Sequence, residues 1–254
     1  MRKKIYNNIG IVGFGAVGSH IAFLISEEEI ANNITIFTNH KETAEAKVQD
    51  IKDMQMLCKN RAVINIVDFD SDLINTCDCI IITYGNLALL KQEGRNGEYN
   101  FNIERTKVFL SNIKIDWEGL IVVISNPCDE IAFEISSKLL GASVISTGTA
   151  LDTMRLNAIR NYPKKVDFIY GKHGQEQVVE WNNSPDVDLW QIAKEGVWKV
   201  IKENNHSVFA ISKLTLAILG SYIGRRKIVL PLTYNRNRKS RLIKIKKERI
   251  RFVR

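Results

Sequence analysis

Six short apolar runs rich in β-branched residues recur through the first 150 residues, at 9–12, 34–37, 63–67, 79–83, 120–124 and 144–147. Near-continuous apolar runs of this length, bounded by polar or glycine-containing segments, read as strands covered on both faces. Helical patterns separate them. Residues 129–140 carry acids in the first turn, Ile131, Ile135 and Leu139 on one stripe, and Gly141 as a stop, so local signals agree there on a helix. Such alternation predicts a βαβ series and a mostly parallel sheet. After about residue 150 the pattern shifts to short strands and two longer helical stretches, 189–202 and 207–223, which predicts a second, α+β half. Residues 86–101, with Gly94, Asn96 and Gly97 among charged neighbours, read as a loop at the carboxyl end of a strand, where lids are often found.

The first predicted strand runs into "GFGAVG", where Gly13, Gly15 and Gly18 satisfy G-x-G-x-x-G at the opening of a helix. The three glycines have separate jobs in a dinucleotide site: a tight turn, close approach of a pyrophosphate to the backbone, and close packing of helix on strand. Ala16 and Val17 complete the loop, and the free N–H groups of the helix face the phosphate charge. The same motif expects an acid at the end of the second strand to bind the ribose 2′-hydroxyl of NAD. That strand ends at Thr38 instead. Two readings stand: Thr38 and Asn39 hold the ribose, or His40 and Lys41 receive the 2′-phosphate of NADP.

Composition places the chain among ordinary globular enzymes, with 45% hydrophobic and 25% charged residues. Its formal charge of +8 invites a nucleic-acid reading, but ten of the Lys and Arg residues and only one Glu lie within 234–254, and the rest holds 26 basic and 27 acidic residues. The body is thus nearly neutral, and a nucleic-acid partner is not expected, because the basic segment lacks interleaved aromatics. The basic start before an apolar run resembles a secretory leader, but three glycines interrupt it and no cleavage site follows, so it reads as a strand. No run approaches the roughly 20 apolar residues of a membrane span, and a cytoplasmic location is the expectation. Cys58, Cys77, Cys79 and Cys128 match neither zinc spacing nor a disulfide framework. No metal site is expected.

Three later segments place polar residues where a packed core needs none: "VVISNPCDE", "STGTALDTMRL" and "YGKHGQEQVVEW". Taken in order with the glycine loop, "SNP", "LDTMR" and "GKHG" resemble the lactate/malate dehydrogenase family, most closely its L-2-hydroxyisocaproate and L-lactate dehydrogenase members, from about residue 5 to about residue 233. The resemblance implies an α/β fold, a doubly wound Rossmann sheet over 1–148 with a smaller, incomplete α+β substrate domain over 149–233, followed by a basic tail at 234–254. It implies an NAD-dependent oxidoreductase acting on a small L-2-hydroxy acid or 2-oxo acid, assembled as a homo-oligomer. His173 is then the proton carrier, since an unperturbed imidazole titrates near neutrality. Asp152 orients and stabilises the imidazolium, and Arg155, three residues on, holds the substrate carboxylate. Asn126 meets the nicotinamide end and the reacting oxygen, Gly85 and Ser125 lie along the cofactor, and Ser207 stands where the family has a pocket-lining Thr.

The chain departs from that pattern in two places. The family's lid arginine is not in register, which leaves Arg95 as the candidate for polarising the substrate carbonyl and Gln92 for reading the substrate side chain. Without such a cation turnover suffers, because a charged donor aimed at developing negative charge is worth several kcal/mol. The segment 234–254 also has too few large apolar residues to build the family's final helix; a solvated tail, a frameshift or truncation product, and a nucleic-acid arm are the readings open to it. On the tail reading, deleting it changes stability little. These departures also support a rival: a catalytically weak dinucleotide-binding relative acting as an interaction or regulatory module.

Overall fold

The computed structural model describes residues 5–204 and 207–253, apart from the side chains of residues 90, 93–96, 175, 197, 198, 201 and 204. The first six strands are β1 (Tyr6–Val12), β2 (Ala31–Phe37), β3 (Val63–Val67), β4 (Cys79–Ile82), β5 (Leu120–Val123) and β6 (Ser143–Ser146). They pair in parallel in the order β3-β2-β1-β4-β5-β6. All six coincide with the apolar runs of the sequence. Ile80, Ile81, Ile82, Ile121 and Val122 have no exposed surface, as expected for strands covered on both faces. The chain order reverses between β1 and β4, which opens a crevice at the carboxyl ends of these strands where ligands bind in such sheets.

Four helices connect this half: α1 (Ala16–Glu27), α2 (Lys41–Met54), α3 (Leu87–Asn112) and α4 (Cys128–Lys138). The stretch 86–101, expected as a loop, is instead the N-terminal half of α3. Asn86 caps it by accepting from the Leu89 N–H at 3.2 Å. Gly94 and Gly97 cost only about 1 kcal/mol each in a helix whose first turns, "LALLKQE", are good helix formers. The buried Asn102, Thr106 and Phe109 then anchor its later turns.

The second half contains α5 (Ala150–Ile159), the hairpin β7 (Phe168–Lys172) with β8 (Gln175–Glu180), α6 (Val187–Asn204) and α7 (Val208–Tyr222). It ends in β9 (Ile228–Tyr234), β10 (Arg241–Lys246) and β11 (Arg249–Phe252). These three strands continue the large sheet antiparallel beyond β6, making nine strands in all.

The expectation of a basic tail at 234–254 is therefore corrected. In "RLIKIK" Ile243 and Ile245 alternate with lysines and are fully buried in the main core, a period-two strand signal that outweighs the segment's charge. The β10–β11 hairpin turns at Lys247 and Glu248, with φ of 51° and 61°, a left-handed pair that side chains normally resist. Their N–H groups donate to Ser221 O and Tyr222 O at 2.9 and 2.6 Å, two carbonyls in the last turn of α7, of which Ser221 O also accepts the Gly224 N–H at 3.1 Å. The hairpin tip is thereby docked on α7. The buried thiols of Cys77, Cys79 and Cys128 are all pushed up by desolvation, Cys77 to about 12, which leaves them protonated and unreactive.

Candidate active site

The glycine loop lies where β1 meets α1. Gly13 has φ +95°, and a Cβ there would fall 2.6 Å from Tyr84 N; one at Gly18 would fall 2.4 Å from Gly13 O. Both positions are closed to any side chain. A Cβ at Gly15 would meet nothing within 4 Å, so the backbone there is open to an approaching ligand. Gly15 is also the N-cap of α1 and provides no side-chain cap, which leaves the first N–H groups of Ala16, Val17 and Gly18 without helical acceptors. Closed glycines at 13 and 18 around an open one at 15 fit the pyrophosphate of a dinucleotide.

At the end of β2, Thr38 is buried, and its Oγ1 accepts the His40 N–H at 3.1 Å. Lys41 is engaged with Asp68 at 2.9 Å. On the other side of the crevice Gly85 is exposed just after β4, and Ser125 Oγ donates to Tyr84 O at 2.5 Å. Asn126 follows with its side chain exposed at the carboxyl end of β5, while its carbonyl accepts from Asn102 Nδ2 at 2.6 Å.

The second half brings together the polar residues of "LDTMR" and "GKHG". Asp152 lies in the first turn of α5 and His173 just beyond β7, with His173 Nδ1 3.1 Å from Asp152 Oδ2. Arg155 Nη1 donates to Asp152 Oδ1 at 3.0 Å, across one turn of the same helix, and its Nη2 reaches Ser207 Oγ at 3.3 Å. Asp152 is nearly buried. Burial pushes its carboxyl up, but the hydrogen bond and charge of His173, the Arg155 guanidinium and the Gln177 amide together hold it below its ordinary value. Desolvation lowers the Arg155 pKa against the pull of Asp152.

Several polar staples bind α5 to β7. Thr149 Oγ1 donates to Ile169 O at 2.5 Å, Ile169 N donates to Thr153 Oγ1 at 3.0 Å, and Asn157 exchanges two bonds with the backbone of Asp167 at 2.8 and 2.9 Å. The carboxylate and the imidazole thus sit on two segments that cannot shift independently.

Three contacts escaped the sequence reading. Gln177 Nε2 donates to Asp152 Oδ2 at 2.9 Å; an amide on a strand after "GKHG" gave no sequence signal. Asp129 reads in sequence as an acid complementing the start of α4. Its carboxylate instead accepts the His173 N–H at 2.9 Å, and its neighbour Glu130 pairs with Lys172. Gln92 is exposed on α3. The Arg95 side chain, like all of His206, lies outside the described residues.

The sequence pattern of the lactate/malate dehydrogenase NAD-binding domain matches residues 7–144. The chain is 24% identical to an L-lactate dehydrogenase of Clostridium botulinum (strain Loch Maree / Type A3), covering 92% of this chain and 81% of that protein. It is 29% identical to one of Fusobacterium nucleatum subsp. nucleatum, covering 88% and 78%. Among solved structures, the minor L-lactate dehydrogenase of Enterococcus mundtii superposes with a TM-score of 0.75 at 18% identity, covering 98% of this chain and 90% of that one. A lactate dehydrogenase from a Medee basin deep-sea metagenome library gives 0.76 at 18%, with the same coverage. The chain belongs to the lactate/malate dehydrogenase family, and its first half is that family's NAD-binding domain.

Proposed function

We propose that this protein is an NAD-dependent dehydrogenase that interconverts a small L-2-hydroxy acid, of lactate or 2-hydroxyisocaproate type, and the corresponding 2-oxo acid. The observation that carries this reading is the convergence of Asp152, His173 and Arg155 in the family's chain order. When bound, NAD supplies the hydride acceptor, held through Gly13, Gly15 and Gly18 with Ala16, Val17, Thr38, Gly85, Ser125 and Asn126 along its length.

His173 takes the hydroxyl proton in oxidation and returns it in reduction. Its Nδ1 faces Asp152, so that nitrogen carries the proton donated to the carboxylate, and Nε2 is left for the substrate oxygen. Positive charge arriving on the ring is met by a carboxylate that is already ionised, and the pair needs no rearrangement. Arg155 supplies a planar fork for the substrate carboxylate, with one arm fixed by Asp152 and Ser207 Oγ close to the other. Asn126 adds a polar contact at the nicotinamide end. Arg95 is the candidate for polarising the carbonyl and Gln92 for reading the substrate side chain. Assembly as a homo-oligomer belongs to the same family-based reading.

The test is a panel of 2-oxo acids of increasing size with NADH and with NADPH, followed by nicotinamide absorbance. Turnover of pyruvate or a branched 2-oxo acid with NADH is expected. Cofactor binding without turnover of any member of the panel would replace this reading with that of a dinucleotide-binding relative without catalysis.

A further inference from the structure

The turn between β9 and β10 reaches both arms of the polar cluster. Ser240 is buried, its N–H donates to Gly171 O at 2.7 Å, and its Oγ accepts the Thr149 N–H at 3.0 Å. Thr149 is the residue from which α5 starts, three before Asp152; Gly171 is two residues before His173. Gly148 leaves room for this contact, since a Cβ there would lie 2.2 Å from Ser240 Oγ. In β9, just before the turn, Thr233 Oγ1 donates to Asp129 Oδ1 at 2.7 Å, and Ser146 Oγ on the paired strand β6 donates to the same oxygen at 2.6 Å. The remaining oxygen of Asp129 is thereby aimed at the His173 N–H, 2.9 Å away. Asp129 is 1% exposed and Thr233 and Ser146 have no exposed surface, so no water competes for these bonds.

We propose that the β9–β10 turn is a positioning element for the acid–base pair. Ser240 sets the spacing between the start of α5 and the end of β7, and Thr233 acts through Asp129 on the backbone of His173. The two oxygens of this buried carboxylate are divided between the Thr233 and Ser146 hydroxyls and the His173 backbone N–H, while the neighbouring Lys172 is paired with Glu130. The bonds from the two hydroxyls and from the His173 N–H fix where the histidine turn sits relative to the sheet. Ser240 links the same turn to α5, so the two contacts add to the direct α5–β7 bonds in fixing the Asp152–His173 distance, to which proton transfer is sensitive.

This proposal rests on the reading of Asp152 and His173 as the acid–base pair, and its test separates the two. In Ser240→Ala, kcat for the best 2-oxo acid is expected to fall about 10- to 100-fold, with the dissociation constant for NADH changed less than about twofold because the glycine loop is untouched. Asp129→Ala should behave alike. Asp129→Asn should recover most of the loss, because an amide oxygen can accept the His173 N–H while the hydroxyls turn to accept from its NH₂. The readout independent of turnover is the imidazole N–H proton resonance of His173, identified by its absence in His173→Gln. Its hydrogen bond to Asp152 should keep it visible in the wild type, and it should broaden or vanish in Ser240→Ala and Asp129→Ala but persist in Asp129→Asn. Folded Ser240→Ala and Asp129→Ala proteins with unchanged kcat and an unchanged N–H resonance would overturn the proposal. So would parallel losses of kcat, NADH affinity and melting temperature, which mark general loosening. If Ser240→Ala does not fold, the Asp129→Ala and Asp129→Asn pair decides. A wild type that turns over no 2-oxo acid removes the dehydrogenase reading, and the N–H resonance still decides whether the turn positions the pair.

Discussion

His173, Asp152 and Arg155 form one electrostatic unit, in which a carboxylate with little exposed surface is shared between an imidazole and a guanidinium. Replacing His173 with Gln keeps a side chain of similar reach but removes the titratable ring, so turnover should fall by about 10² to 10⁴ while NADH binding measured by fluorescence stays nearly intact. Unchanged turnover would remove the proton-carrier role. The same unit couples the fold to pH. The Asp152 carboxyl is held below its ordinary value of 3.8 in the folded protein, so its pairing stabilises the fold at pH values above 3.8 and is lost as pH falls through the folded value. Urea unfolding of wild type and Asp152→Asn between pH 3 and 7 should give a stability difference that is largest at neutral pH and shrinks below about 4. A difference independent of pH would place the cost of the substitution in packing instead. The convergence of this trio was legible because ordered short motifs carry its residues. Asp129 and Gln177 were not, since an acid in a first helical turn and an amide on a strand look the same whether they face solvent or hold a histidine turn.

At the scale of elements, β1 to β6 were legible because strands covered on both faces leave uninterrupted apolar runs, as "CIII" and "LIVV" do. The glycine loop was legible for a steric reason: positions 13 and 18 admit no side chain. Residues 86–101 misled because Gly94 and Gly97 suggest a loop, whereas burial of Asn102, Thr106 and Phe109 further along α3 is a tertiary effect invisible in local propensity. The end of β2 yields a prediction at this scale. It offers Thr38 instead of a carboxylate, so little there repels a 2′-phosphate, and discrimination between NADH and NADPH should be weak. Thr38→Asp should shift preference toward NADH, and the new side chain can accept the same His40 N–H that Thr38 Oγ1 accepts now. Ratios of kcat/KM for the two cofactors measure this, and a wild type that already rejects NADPH strongly would show that discrimination lies elsewhere.

Across the whole molecule, net charge concealed structure: ten cations in the last 21 residues suggest a solvated tail, yet "IKIK" within "RLIKIK" alternates apolar and charged residues. The alternation divides the hairpin into two faces. Ile243 and Ile245 join the core, and Lys244 and Lys246 point the other way, directly opposite Arg251 and Arg249 on β11. Like charges facing each other across a strand pair destabilise it, but β11 is the sheet's edge, and a cationic edge resists pairing with another chain. Burial on one face must therefore outweigh repulsion on the other. Truncating a buried Ile to Ala costs about 2–5 kcal/mol, and each kcal/mol lowers the melting temperature of a chain this size by about 2–4 °C. Ile245→Ala is thus expected to melt about 5–15 °C below the wild type. Removing residues 241–253 should do far more, because β9 loses its five-residue pairing with β10, the end of α7 loses the two N–H donors at 247 and 248, and both isoleucines leave the core. Thermal unfolding followed by far-UV circular dichroism should show no cooperative transition for that deletion. A deleted protein that melts with the wild type would mean that the hairpin lies on a fold already complete without it.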